Sequence, residues 1–213
     1  AEYEIILLVD QILKTFGATH DMYAHRLNSR KLTDTVMRDY LKLDQVQAHT
    51  MSKLIDRKDK MDQAAFMAEV DALFSPSERD EGNVHKLLEV LKAKKLSDLP
   101  EELKTHAATQ ELQKLSELLE DSGVVNVEFD PGLMRGFDYY TDIVFEVFDN
   151  HPDNNRSLFG GGRYDGLVGL FGVEPVPTIG FGMGDVTLAN FLEFHNLLPP
   201  IRTETDLYIV LVG

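Results

Sequence analysis

The chain of 213 residues is 43% hydrophobic and 27% charged, enough apolar mass for a real core and for one or two domains. Its formal net charge of -15 argues against broad, non-specific nucleic-acid binding. The lack of cysteine excludes disulfides, thiolate metal sites and a cysteine nucleophile. No apolar run approaches the span of a bilayer and no stretch reads as a signal peptide, so the expected setting is cytoplasmic, with no membrane partner.

Residues 2–16 read as an amphipathic helix with Ile5, Val9, Ile12 and Phe16 along one face and Gly17 as its C-terminal cap. "HDMYAHRLNSR" follows as a short strand whose end carries Arg26, Asn28 and Arg30. From Lys31 to Glu120 lysines, aspartates and leucines recur at helical spacing, with breakers such as "SPSERDEGN" between segments. This stretch reads as an all-helical module inserted into a mixed chain. It holds 14 of the 21 Lys and Arg and 18 of the 36 Asp and Glu, so any polyanion contact falls there rather than elsewhere in the chain, around "DRKDK" or "KAKK". Either cluster alone reads as a solvated helix face.

From Val124 the pattern turns strand-like: "VVNVEF", the turn "DPG", then "LMRGFDYYTDIVFEVF" (133–148). The last of these is an apolar strand that opens with an arginine, an aspartate and two tyrosines and keeps Glu146 in its middle. Charges in a covered strand must be paired or committed to a ligand. A glycine-rich turn, "GGGRYDGLVGLFG" (160–172), comes next, then the strand "VPTIGFGMG", where Gly180, Gly182 and Gly184 alternate. Glycine at every second position of a strand points to something flat lying against one face. Asp185 suits the N-cap of a following helix, Pro199 and Pro200 begin a linker, and "DLYIVLVG" reads as the first strand of a further domain.

The seven histidines are scattered, and neither a metal site nor a Ser-His-Asp set can be assembled from the spacing. "GGGRYDG" alone matches no phosphate-loop or dinucleotide pattern. Arg135 and Arg163 could each be a structural salt-bridge partner.

The order "LMRGFDYYT.IVFE", "GGGRYDGLV", "VP.IGFGMG....L..FLE" nevertheless resembles the histidyl-tRNA synthetase family. The first two stretches resemble its histidine-specific signatures and the third its class II motif 3. The likeness implies an α+β fold: part of an antiparallel-sheet catalytic domain (1–30 and 121–198), a helical insertion (31–120), and a linker leading to an anticodon-binding domain (199–213). It implies activation of histidine by ATP with Mg²⁺ to histidyl-adenylate, transfer to tRNA(His), and a homodimeric parent. Carried over by position, Arg135 is the catalytic arginine at the α-phosphate. Tyr140, Tyr164, Gly161 and Gly162 line the histidine pocket. Arg135, Gly182 and Gly184 serve ATP, while Gly136 lets backbone approach the ligand. Asp138, Glu146 and Arg163 are expected to orient these groups, and Lys92, Lys94 and Lys95 to meet tRNA.

Two departures from the family pattern stand out. The motif 1 and motif 2 segments are absent, so the chain is expected to be a fragment, inactive alone. Val186 and Thr187 occupy the places where motif 3 normally ends in Glu-Arg, and threonine cannot carry the charge that meets the γ-phosphate. The alternatives are a non-catalytic paralogue, either the regulatory subunit of ATP phosphoribosyltransferase or a tRNA-sensing domain.

Overall fold

The computed structural model describes residues 1–134, 139–154, 156–200 and 205–210. Helix α1 (Glu2–Thr15) leads into strand β1 (Tyr23–Ser29). Seven helices follow: α2 (Arg30–Thr35), α3 (Gln45–Asp56), α4 (Gln63–Leu73), α5 (Pro76–Asp80), α6 (Asn83–Lys92), α7 (Glu101–Lys104) and α8 (Ala107–Asp121). Strands β2 (Val127–Phe129), β3 (Ile143–Asp149), β4 (Ser157–Arg163) and β5 (Ile179–Met183) come next, and α9 (Asp185–Phe194) closes the series. The sheet order is β2-β1-β3-β4-β5, with β1 and β2 parallel and the other neighbours antiparallel. This is the expected α+β class. The parallel pair follows from chain logic, since the whole run of helices returns the chain to the same edge of β1, a crossover that parallel strands require.

Helix α1 ends as expected. Gly17 takes φ +92, and the Ala18 amide donates to the Leu13 carbonyl at 3.2 Å, closing the last turn through a left-handed residue. The buried face differs from the predicted one: Ile6, Val9 and Leu13 are fully buried, while Phe16 is exposed and Ile5 and Ile12 only half-buried. The helix is apolar on most sides, so periodicity leaves its rotation open. Asp10 settles it. This carboxylate is fully buried and accepts a 2.7 Å hydrogen bond from the Tyr23 hydroxyl. It also faces His25 Nε2 at 3.3 Å and Lys14 Nζ at 2.7 Å, tying α1 to β1.

Strand alternation divides the sheet into two faces. Tyr23, Leu27, Phe145, Val147 and Phe159 point toward α1 and α9, where they join Val9, Leu13, Phe191 and Leu192 in one apolar cluster. The same cluster continues into the helices through Met51, Leu54, Phe74 and Leu112.

Two further expectations are corrected. Gly160–Gly162 lie inside β4, paired with β3 on one side and β5 on the other, so the glycine triplet is strand rather than turn. Turn chemistry and close strand packing both select glycine, and the sequence does not separate them. The N-cap of α9 is Gly184; Asp185 is the first helical residue, where its charge complements the helix N-terminus. Residues 206–210 take no strand form among the described residues, and Leu207 and Tyr208 are 75% and 82% exposed, which leaves the expectation of a further domain as it stood.

Among the described residues no helix is long and apolar enough to cross a membrane.

Candidate active site

The second face of the sheet carries little apolar bulk. Across it one register row runs Glu128, Arg26, Glu146, Gly160, Gly182, and the next runs Asn28, Val144, Gly162, Gly180. Four glycines on two adjacent strands thus remove side chains from a continuous patch and leave bare backbone as its floor. Glu146 stands half-buried in the centre of its row. Arg26 lies over the Phe148 ring at 4.4 Å, with Glu128 and Asp130 at 3.7 and 3.8 Å.

Three tyrosines build a wall at one end of this floor. Tyr139, Tyr140 and Tyr164 pack with ring centroids 4.8, 5.6 and 6.2 Å apart in tilted and edge-on arrangements, over Leu133 and Val144. The glycines explain how they fit. A Cβ at Gly162 would stand 2.8 Å from the Tyr140 ring, and one at Gly180 would stand 2.6 Å from the Tyr164 hydroxyl. A Cβ at Gly182 would meet nothing within 4 Å. The floor is therefore occupied by tyrosine at Gly162 and Gly180 and open at Gly182, next to Glu146 and Gly160.

Tyr140, Tyr164, Gly162 and Gly182 are brought to one face, as the motifs suggested. Gly161 belongs to the other. A Cβ there would lie 2.4 Å from the Gly180 carbonyl oxygen and 2.8 Å from Phe145, so packing of three strands demands glycine at that position. Gly184 leaves room for Thr187, whose hydroxyl donates back to the Gly184 carbonyl at 3.1 Å. Thr187 thus closes the first turn of α9. Arg163 stands on the core side, where it donates to Glu2 of α1 and, at 3.0 Å, to Asp165. Asp165 in turn accepts from the Thr178 amide at 3.1 Å. Arg163 is a strut that fixes α1, β4 and the approach to β5 and acts on the tyrosine face only through the strands.

Arg135, Gly136 and Asp138 lie outside the described residues. Lys92, Lys94 and Lys95 are exposed, and Lys92 borders, with Lys58, a recess of about 410 Å³ that contains none of the tyrosines. Two residues already singled out, Arg30 and the Arg57 of "DRKDK", meet three that no motif marked, Arg38, His49 and Lys53. Arg30, Arg38, His49, Lys53 and Arg57 line a cleft of about 730 Å³ that also touches Tyr140 and Thr141. Its signal was present: His49, Lys53 and Arg57 recur every fourth residue, one stripe on a helix.

The sequence pattern of the histidyl-tRNA synthetase family matches residues 1–186. A histidine–tRNA ligase of Leptospira biflexa is 40% identical over an alignment that takes in 100% of this chain and 48% of that protein. The chain spans about half the length of the curated relatives it matches. Histidyl-tRNA synthetase from Nostoc sp. PCC 7120 superposes with a TM-score of 0.76 at 22% identity, over 93% of this chain and 48% of its own. An ATP phosphoribosyltransferase regulatory subunit/histidyl-tRNA synthetase from Bacillus halodurans C gives 0.71 at 24% identity, over 90% and 49%. Those two likenesses speak to the fold, and the match over residues 1–186 to the family: this chain belongs to the histidyl-tRNA synthetases.

Proposed function

We propose that the chain forms half of the catalytic domain of a histidine–tRNA ligase, which joins histidine to ATP as histidyl-adenylate and passes it to tRNA(His). The observation that carries the reading is the sheet face on which Tyr140 and Tyr164 wall one end of a glycine floor open at Gly182. Aromatic walls with hydroxyls suit an imidazole, which has flat apolar faces and polar nitrogens. The open floor at Gly182 suits the adenine ring, and the carboxylate and α-phosphate meet between the two.

The chemistry needs positioning and charge neutralisation rather than a protein nucleophile. The histidine carboxylate attacks the α-phosphorus in line, the bond to the β-phosphate oxygen breaks, and pyrophosphate leaves with the electron pair. Arg135 is assigned to the α-phosphate oxygens, where a guanidinium fork fits. The 2′- or 3′-hydroxyl of the tRNA end then displaces AMP. The divalent ion enters with ATP as part of the substrate, where it neutralises phosphate charge. In this reading residues 31–120 are an inserted module, the whole protein is a homodimer working in the cytoplasm, and the 213-residue chain alone is inactive.

Thr187 favours a second reading. Its hydroxyl is committed to the helix turn and no positive charge stands at that position, which suits a paralogue that binds without catalysis, such as a regulatory subunit or a tRNA sensor. Charging of tRNA(His) with labelled histidine by the full-length protein separates the two; no charging would leave the paralogue.

Two glycine substitutions test the face itself. Gly161→Ala forces a Cβ into strand backbone and Phe145, so it should cost about 1–3 kcal/mol and lower Tm by several degrees. Gly180→Ala meets only the tip of Tyr164, which can swing aside. Its Tm should stay near that of the parent while histidine binding, followed by calorimetry, weakens. Equal histidine affinity in Gly180→Ala would take Tyr164 out of the pocket.

A further inference from the structure

Strand β1 ends in Asn28 and Ser29, and the chain turns through Arg30 and Lys31 into α2. Asn28 is 2% exposed and Arg30 half-buried. Asn28 opens the register row that continues through Val144, Gly162 and Gly180, so this corner lies on the same sheet face as the tyrosine wall.

The hydrogen bonds of these residues converge on one stretch of chain. The Asn28 amide nitrogen donates to the Leu133 carbonyl at 3.0 Å and lies 3.4 Å from both the Pro131 carbonyl and the Thr33 hydroxyl. Its oxygen accepts from the Ser29 amide at 2.8 Å, which sets the orientation of the side chain. The Arg30 guanidinium takes the next acceptor along, donating to the Met134 carbonyl at 3.1 Å. The Arg30 amide donates to the Asp142 carbonyl at 2.9 Å. Asp142 also accepts from the Ser29 hydroxyl at 3.2 Å and meets Lys31 Nζ at 2.6 Å. Residues 28 to 31 thus grip both flanks of the stretch 135–141, and Arg30 spans the two.

Leu133 and Met134 are buried, so their carbonyls depend on donors from the protein. A peptide unit is planar, so fixing the Met134 carbonyl also fixes the direction in which the chain leaves for residue 135. We propose that Asn28 and Arg30 are positioning residues for adenylation: by holding the Leu133 and Met134 carbonyls against the end of β1, they set where Arg135 stands relative to the tyrosine wall. The proposal rests on the function proposed above and on the assignment of Arg135 to the α-phosphate. Adenylation depends on alignment, and a displacement of about 1 Å can cost on the order of 10² in rate.

The test uses the full-length protein with Arg30→Met, which keeps the apolar stem and removes the donor, and Arg30→Lys, which keeps a donor. Arg30→Met is also made in the Arg135→Ala background. Single-turnover adenylate formation, KM for ATP, histidine binding and hydrogen exchange are followed, the last at the Leu133 and Thr141 amides, which donate to Asp130 and Arg163. Arg30→Met should slow adenylate formation on the order of tenfold, with KM for ATP near that of the parent, because alignment is lost rather than ground-state binding. Arg30→Lys should recover most of the rate. Asn28→Asp, the same shape with an acceptor in place of the donor, should act in the direction of Arg30→Met. In the Arg135→Ala background Arg30→Met should slow the reaction no further, since the group it positions is gone. Losses that multiply in the double variant would overturn the proposal, as would a parent rate in Arg30→Met or Asn28→Asp. A parent that forms no adenylate would remove the ligase reading instead. Faster exchange at Leu133 and Thr141 with weaker histidine binding in Arg30→Met would then support the positioning role, and exchange and binding like the parent's would overturn it.

Discussion

Arg135→Ala in the full-length protein is expected to slow histidyl-adenylate formation by about 10²–10³. During attack on the α-phosphate, negative charge gathers on the equatorial oxygens and on the departing pyrophosphate. In the ligase reading, a guanidinium held at that place would stabilise the arrangement more than the ground state. Lysine should restore only part of the rate, keeping the charge and losing the planar fork. A purely structural arginine gives the opposite pattern, with lower melting temperature and normal chemistry in the molecules that remain folded. Single-turnover adenylate formation alongside thermal melting distinguishes them, and a normal rate in Arg135→Ala would remove the assignment.

The largest effect on stability is expected at Asp10, on the far side of the sheet. Burial alone would push this carboxyl up. Hydrogen bonds from His25, Lys14 and Tyr23 together outweigh it and hold the group at about 2. Burial and the bond to Asp10 push the Tyr23 hydroxyl up, so it stays protonated as the donor. Asp10→Ala leaves Tyr23 and His25 without their acceptor in a fully buried site, while Lys14 can turn toward solvent. A loss of about 3 kcal/mol is expected, at the low end for a broken buried pair, and a Tm lower by about 6–12 °C.

The pH dependence has a definite sign. The folded carboxyl titrates below its ordinary value of 3.8, so its contribution is fully present above that value and disappears as pH falls through about 2. That contribution is about 2 kcal/mol. Urea unfolding of parent and Asp10→Asn should therefore differ at pH 6 and converge near pH 2. A constant difference across that range would mean that the network does not depend on the charge.

Much of the candidate site was legible because its residues are chemically unusual for their places. Paired tyrosines just before an apolar strand, a carboxylate inside it, and Gly180 and Gly182 at alternate positions of another strand are costly without a ligand or a packing partner, and they fall on one sheet face. What could not be read was which reason applied to each glycine. Gly161 and Gly162 are neighbours in one triplet, yet one answers to Phe145 and the other to Tyr140, on opposite faces. That distinction depends on strand register, which only long-range pairing sets. The rotation of α1 was hidden for a related reason: an aspartate reads as solvent-facing until its partners, 13 and 15 residues away, are brought beside it. The stripe His49, Lys53, Arg57 on α3 was visible as a spacing, but Arg38, on the same cleft, comes from a turn, Val36–Tyr40, whose π geometry no local pattern announces.

The most direct test of the central claim is histidine-dependent ATP–pyrophosphate exchange by the full-length protein, run against the other amino acids. The ligase reading predicts exchange that saturates with histidine, is absent with the others, and falls to the blank in the 213-residue chain alone. Exchange no greater with histidine than without it, in a folded full-length protein, would contradict the reading and leave the tyrosine-walled face as the pocket of a binding protein.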